Sequence, residues 1–403
     1  MHTPSSVLVV GASLGGLSVA EALRREGYAG SLVLLGAERH LPYDRPPLSK
    51  KVLAGEWEPT KAELRSAAAL EKLHVQLALD EPAVRLDVRA REVFTAAGRS
   101  FRADVIVLAT GLEPRQFPGQ PALTGVHILR TVDECVALRA DLLAHSRLVV
   151  VGDGVLGTEI AATARAMGLS VTLVGPQELP LGMQLGRLVG EQLARLHTEK
   201  GVALRLGLGV EAFVAEQGRV SGVQLKGGEV LPADIVVVAI GSKPAIGWLA
   251  ESGLELGDGI ICDSRCLAAE GIYAVGDVAR WYHQGLGASL RLENRSNAVE
   301  QAMAVAGNIM GKDRPYVPVP FFWTDQFDTK IQMHGFISPD AEVAILEGDP
   351  ANRQFTAAYG KHGKVVGVLA WNMIKQSRLY RKHVVEGTAW NDPSLRATPS
   401  GGS

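Results

Sequence analysis

One pattern occurs twice along the chain, and a duplication of this kind limits the fold more than any single motif. The first copy is VLVVGASLGGLSVAEALRREGYAGSLVLLGAE, Val7 to Glu38, and the second is LVVVGDGVLGTEIAATARAMGLSVTLVGPQE, Leu148 to Glu178. Each reads as an apolar strand, a glycine-rich turn, a helix with apolar residues at intervals of three and four, a glycine break and a second apolar strand. That is a βαβ unit, two times over. Each copy has a later counterpart, ADVIVLATG at Ala103 to Gly111 and ADIVVVAIG at Ala233 to Gly241. Short apolar runs ending in glycine read as buried parallel strands, whose carboxyl ends are where open α/β sheets bind ligands. Ahead of the first, AVRLDVRAREVFTAAGRSFRA alternates in the manner of a small antiparallel meander.

The turns carry chemistry. A glycine-rich turn that opens a helix lets the backbone approach a pyrophosphate, whose charge is held by free amides and the helix dipole. In the second copy Gly152, Gly154 and Gly157, with Val155 and Leu156 between them, complete GxGxxG. In the first, Gly11 and Gly16 fit, but Ser13 stands at the middle position and is followed by Leu14 and Gly15. A lone GxGxxG is a weak signal; two, each between a strand and a helix and each with a matching later strand, point to two nucleotide sites.

Bulk properties narrow the partners. A chain of 403 residues exceeds one ordinary core, so two or three domains are expected. The formal net charge of -2 gives no general attraction to nucleic acid or to an anionic membrane, so charge-based docking needs a local patch. The start MHTPSSVLVV has no basic region followed by a long apolar stretch, and no run reaches transmembrane length, which sets a cytoplasmic location as the expectation. The three cysteines, Cys135, Cys262 and Cys266, cannot supply the four thiolates of an iron–sulfur cluster, and no metal site is expected. Cys262 and Cys266 are four apart but form no CxxC.

A third marker is GIYAVGDVA, Gly271 to Ala279, read as an apolar strand that ends in Gly276-Asp277 and leads into a helix start. An aspartate there accepts hydrogen bonds from a polyol while the neighbouring backbone approaches a flavin ring. With the first βαβ unit, VLATG and GIYAVGDVA in that order, the chain resembles the two-dinucleotide flavoprotein reductases, which use FAD first and NAD(P)H second. Four segments narrow this: LPYDRPPLSK at Leu41 to Lys50, LRT at Leu129 to Thr131, RLEN..NA..QA from Arg291 to Ala302, and FFWTDQFD at Phe321 to Asp328. Together they are similar to the oxygenase-coupled NADH:ferredoxin reductases, over nearly the whole length from Val7 to His383. The proline-rich loop is far more specific than either glycine turn. The expected fold class is α/β: two nested Rossmann-like dinucleotide-binding domains, 1–112 with 242–318 for FAD and 113–241 for NAD(P)H, plus a C-terminal α+β domain over 319–403. In that last part TAAYGKHGKVVGVLAWN reads as antiparallel strands joined by glycine turns, and the final RATPSGGS reads as disordered.

The resemblance implies site residues one by one. The prolines of the loop fix its backbone along the isoalloxazine, with Arg45 and Lys50 facing the polar atoms of the flavin and Lys50 paired with Glu159 near flavin N5. Glu38, or the backbone beside it with Arg39, holds the adenosine ribose of FAD, although Ala37 stands where an acid is often found. Val84 contacts the adenine, Ala109, Thr110 and Gly111 lie on the pyrophosphate side, Arg130 is at the flavin end and Gly276-Asp277 at the ribitol. Ala298 and Trp323 pack near the ring system, and Gly241 ends the strand that completes the second nucleotide site.

Two positions depart from the pattern. Gly175 stands where an acid usually follows the second strand to bind the nicotinamide cofactor's ribose and disfavour a 2'-phosphate, yet no arginine follows to grip a phosphate, so NADH stays ahead of NADPH. Glu178 reaching back, or weak nucleotide binding, would account for the glycine. Arg295 replaces an aromatic or apolar residue close to the flavin pyrimidine edge, where a guanidinium favours an anionic reduced flavin; pointing to solvent is the alternative.

The implied reaction docks a nicotinamide over FAD between the two Rossmann domains, transfers a hydride to flavin N5, and passes single electrons to a separate [2Fe-2S] ferredoxin serving an oxygenase. Lys375, Arg378, Arg381 and Lys382, with no acid among them, offer either a docking patch for an acidic ferredoxin or a solvated face. The rival readings are a disulfide reductase, a flavin-dependent oxidase or tailoring enzyme, and a slow redox-responsive binding protein. Monomer and homodimer are equally open.

Overall fold

The structure, a computed structural model, describes residues 3–119, 122–337 and 340–395. It divides into two compact units.

The first unit comprises Met1–Asp44, Thr60–Glu113 and Ser242–Pro320. Strand Ser6–Val10 pairs in parallel with Ser31–Leu35 on one side and Val105–Leu108 on the other, which places Val7 to Val10 at the centre of the sheet with no more than 3% of each exposed. Full burial on both faces is why this strand is apolar throughout instead of alternating. Gln76–Ala78 and Ile272–Ala274 extend the sheet in parallel, and Leu267–Ala269 closes it antiparallel. Helix Leu14–Arg25 packs against helix Arg295–Ile309. Arg24 and Arg25 end the first of these, where cations favour the negative pole of a helix. The expected meander is present as Ala83–Asp87, Glu92–Thr95 and Ser100–Arg102.

One sequence expectation fails here. The residues after Gly276-Asp277 do not begin a helix: a single 3-10 turn, Gly276–Val278, runs directly into strand Ala279–His283. Ala279, Trp281 and His283 are buried while Arg280 and Tyr282 face outward, a period of two that only a strand satisfies.

The second unit comprises Arg45–Pro59, Pro114–Gly241 and Phe321–Ser403. Its parallel sheet has the order Ala203–Leu206, Ser170–Gly175, Arg147–Val151, Ile235–Val238, Val126–His127. The C-terminal residues form a five-stranded antiparallel sheet in the order Phe321–Gln326, Thr329–Gly335, Lys364–Trp371, Gln354–Lys361, Glu342–Asp349. His362 and Gly363, both at positive φ, make the two-residue turn between Gln354–Lys361 and Lys364–Trp371, as a tight hairpin requires. Helix Gly182–Glu199, broken at Gly186 (φ +78°), carries Val189, Leu193 and Leu196 at spacings of four and three beyond the break, and these with Leu185 share one core with Ile331, Phe355, Tyr359 and Trp371 of that sheet.

Residues 45–59 group with the second unit, and the C-terminal residues share that unit with the parallel sheet that contains Arg147–Val151. The segment RATPSGGS lies outside the described residues. No helix among the described residues is long and apolar enough to cross a membrane.

Candidate functional site

The two glycine turns are built alike. Gly11 and Gly152 sit at φ +119° and +125°, where a Cβ would lie 2.2 Å from the Ala109 carbonyl oxygen and 2.1 Å from that of Ala239. A Cβ on Gly16 or Gly157 would come within 1.9 Å of the Gly11 or Gly152 carbonyl oxygen. Glycine at these four positions is imposed by the protein's own backbone. The middle position is not: a Cβ on Gly154 would meet no atom within 4 Å beyond its chain neighbours, and both Gly154 and Ser13 have ordinary extended φ, so serine there is unstrained. Neither residue caps its helix through a side chain. The first-turn amides of Leu14 to Gly16 and of Val155 to Gly157 therefore need an outside acceptor, and a pyrophosphate fits both places.

In the first unit, several residues singled out in the sequence come together. A Cβ on Gly15 would meet Ala109, Val275 and Ala298 at 3.8 to 4.0 Å, and one on Gly276 would meet Ala298 at 3.5 Å. These small residues form a surface that a flat ligand can approach closely. Gly276 N–H donates to Gln301 Oε1 at 2.7 Å, from a glutamine with no exposed surface, and this holds the strand end that carries Asp277. Thr110 donates its hydroxyl to the Ala245 carbonyl at 3.0 Å, beside Gly111. Glu38 accepts a short hydrogen bond from Tyr43, Arg39 is exposed, and Val84 lies on the meander with about half of its surface exposed. Arg295 Nε donates to both Asp44 oxygens at 2.8 and 2.9 Å, which pairs its charge with a carboxylate of the loop LPYDRPP. Sequence reasoning missed Asp44, because its partner lies 251 positions away.

In the second unit, the rest of that loop folds as a 3-10 turn, Pro46–Ser49, opened by two prolines. Leu48 and Ser49 are buried. Leu48 carbonyl accepts from Cys135 Sγ at 3.2 Å and Ser49 carbonyl from Thr163 at 2.8 Å, which ties the turn to helices Val132–Ala144 and Val155–Ala166. Arg45 donates to the Arg130 carbonyl at 2.6 Å, just before the Thr131–Glu134 capping box of the first of these helices. With both ends anchored, Lys50 Nζ donates to Glu159 Oε2 at 2.6 Å. The same oxygen accepts from Ser49 Oγ at 2.7 Å, and Oε1 accepts from Thr324 Oγ1 at 2.8 Å. The lysine side chain keeps 19% of its surface exposed and the glutamate 6%. Three donors hold the carboxylate from inside, and the ammonium group, anchored by it, presents positive charge at a fixed point.

Behind it the buried polar chain continues through Gln326, which donates to Thr158 at 2.9 Å and is bonded to His197 at 2.8 Å. Burial pushes the pKa of the His197 imidazole down, against the opposing pull of its hydrogen bond to Gln326. Sequence reasoning missed Ser49, Thr324 and Gln326, although FFWTDQ carries a signal: Thr324 and Gln326, two apart in a strand, are its two buried residues and both are polar. Trp323, on the opposite face, stacks with Phe321 at 5.9 Å. Gly241, at φ +94°, accepts from Arg115 N–H at 2.9 Å through its carbonyl. At Gly175 the strand end is filled by Asp153, whose carboxylate lies 2.2 Å from where a Cβ would be.

The three thiols are buried, and burial pushes Cys135 up to about 11 and Cys266 up to about 12, with Cys262 raised as well. Buried thiols raised in this way are poor nucleophiles, unlike the exposed, low-pKa cysteines that carry thiol–disulfide exchange. On helix Ile374–Glu386, Lys375, Arg378, Arg381 and Lys382 are all exposed.

Comparison with known proteins agrees with this geometry. Residues 5–302 match the pyridine nucleotide-disulphide oxidoreductase family, and residues 321–399 match the reductase C-terminal domain. A ferredoxin–NAD(P)(+) reductase of Sphingomonas sp is 36% identical over 401 residues, covering 98% of this chain and 95% of its own. Rhodocoxin reductase of Rhodococcus erythropolis is 35% identical over 379 residues, 94% of this chain and 88% of its own. The crystal structure of the covalent putidaredoxin reductase–putidaredoxin complex superposes with a TM-score of 0.92 at 30% identity, covering 98% of this chain and 96% of that one. The chain belongs to the pyridine nucleotide-disulphide oxidoreductase family, in the group that carries the reductase C-terminal domain and includes rhodocoxin reductase and the ferredoxin–NAD(P)(+) reductases.

Proposed function

We propose that this protein is an FAD-dependent NADH:ferredoxin oxidoreductase that supplies electrons to an oxygenase through a [2Fe-2S] ferredoxin. The observation that carries the reading is the pair of uncapped glycine turns, one in each unit, because a reductase of this kind needs two dinucleotides. The ferredoxin reductases among its relatives support the acceptor. FAD, when bound, supplies the exchange between a hydride donor and a one-electron carrier.

The chain's own residues have separate tasks in this reading. The turn from Gly11 to Gly16 holds the FAD pyrophosphate with Thr110 and Gly111 beside it, Glu38 and Arg39 serve the adenosine ribose, Val84 the adenine and Asp277 the ribitol. The turn from Gly152 to Gly157 holds the pyrophosphate of NADH. Lys50 is the cation that offsets negative charge as the hydride is transferred, and Glu159 keeps it in place; a charge positioned in advance costs no reorganisation at the moment of reaction. The patch Lys375, Arg378, Arg381 and Lys382 receives an acidic ferredoxin. A cytoplasmic setting goes with this reading, since the donor is regenerated there.

Anaerobic stopped-flow mixing of the FAD-loaded protein with NADH and with NADPH, followed by a [2Fe-2S] ferredoxin, tests the proposal. Fast flavin bleaching by NADH and carrier reduction without oxygen are expected. Bleaching reversed only by oxygen would make the protein an oxidase and end the ferredoxin reading.

A further inference from the structure

We propose that Asp153, the residue between the first two glycines of the second turn, is the carboxylate that selects a nicotinamide cofactor without a 2'-phosphate; this rests on the reading of the second unit as the NADH-binding unit. In dinucleotide-binding folds that choice falls to an acid at the end of the second strand, where the adenosine ribose lies. Here that strand ends in Gly175. The glycine is not a loss of the acid. A Cβ at position 175 would lie 2.2 Å from Asp153 Cγ and Oδ2 and 2.4 Å from its Cβ, so the aspartate side chain occupies the space that a residue at 175 would need. The carboxylate has moved across to the neighbouring strand's turn, and glycine is what makes room for it.

The group is held in position. Gln177 donates to it twice, from its backbone N–H to Oδ2 and from Nε2 to Oδ1, both at 2.8 Å. Gln177 is itself fixed by Met183 N–H, which donates to its Oε1 at 2.9 Å. Each carboxylate oxygen has two acceptor sites, so one on each remains for a ribose hydroxyl. Asp153 is 4% exposed, and a charge buried to that extent is little screened by salt. A dianionic phosphate at the 2' position meets this fixed negative charge. The four residues after the strand, Pro176, Gln177, Glu178 and Leu179, bring no cation to offset it. The first unit makes the contrast: its strand Ser31–Leu35 is followed by Gly36, where a Cβ would lie 2.6 Å from Ala12 Cβ, so the same steric arrangement there carries no charge.

Calorimetric titration of the full-length FAD-loaded protein with ADP-ribose and with 2'-phospho-ADP-ribose reads the adenosine half of the site without turnover. The wild type is expected to prefer ADP-ribose, and Asp153→Asn, which keeps the volume and the bond from Gln177 N–H, to narrow that preference roughly tenfold, the size of one unit-charge interaction over several Å. The paired change Asp153→Gly with Gly175→Asp returns the acid to the strand end and is expected to restore the wild-type ratio. An unchanged ratio in folded Asp153→Asn, or a paired variant that discriminates no better than Asp153→Asn, overturns the assignment. A wild type that binds neither ligand overturns the dinucleotide reading of the second unit instead, and the assignment with it.

Discussion

Gly157 and Gly154 belong to one motif, yet they answer to different constraints. Alanine at 157 collides with the Gly152 carbonyl at 1.9 Å and moves the helix off its strand. Gly157→Ala is expected to cost on the order of 2–3 kcal/mol, read from urea unfolding. Gly154 has an open surrounding and φ of -79°, so Gly154→Ala leaves stability within about 0.5 kcal/mol while weakening ADP-ribose binding in calorimetry. A matching loss of stability in both variants would contradict this division. Lys50 gives the second prediction at this scale. Lys50→Met removes the fixed cation and leaves Glu159 with only Ser49 and Thr324, and flavin bleaching by NADH is expected to slow by about 10- to 100-fold. Glu159→Gln, which keeps both hydroxyl contacts but frees the lysine, is expected to fall between. The glycine spacing was legible from sequence because it is a local property. Why glycine stands at 175 was not, since the reason is a side chain on another strand.

Strand Thr329–Gly335 and helix Ile374–Glu386 pack together, and one histidine records the contact. His334 is 6% exposed, lies 4.7 Å from the Phe321 ring, and has no hydrogen-bond partner on either ring nitrogen among the described residues. Burial, with the positive charges of Arg381 and Arg378, lowers its pKa to about 4. An unfolded histidine takes a proton below about 6.5, whereas the folded one resists until about 4. Protons in that window favour the unfolded chain, so this group's contribution is present above 6.5 and is lost as pH falls toward 4. His334→Leu is expected to flatten the decline by on the order of 3 kcal/mol between those pH values, checked by denaturant titrations at each pH. The same helix presents Arg378 and Arg381 outward. Reversing both charges is expected to raise the apparent Michaelis constant for ferredoxin about tenfold or more while ferricyanide reduction stays intact. Equal loss of both activities would end the docking role. At the scale of elements, alternation and helical periodicity read correctly where one face is solvated, as in the meander and the C-terminal hairpin. The strand Ala279–His283 was misread because a Gly-Asp turn followed by Val-Ala looks locally like a helix start, and its period of two emerges only over the five residues that follow.

Across the whole molecule, two units each repeat the plan of a parallel sheet with a glycine turn at the end of its central strand, and the sequence determined this by itself. Apolar runs, glycine intervals and turn residues are short-range facts, and a sheet buried on both faces leaves its mark on every residue of its strands. The duplication then told which parts correspond. The tertiary structure alone decided which side chains meet. Thr324 reaches Glu159 across 165 positions, Ser49 reaches it across 110, and Asp44 meets Arg295 across 251. It also decided that residues 45–59 group with the second unit while the preceding half of the same loop stays with the first. No periodicity records such pairings, because a hydrogen bond formed over that separation depends on how whole sheets and helices pack and not on the residues beside it in the chain.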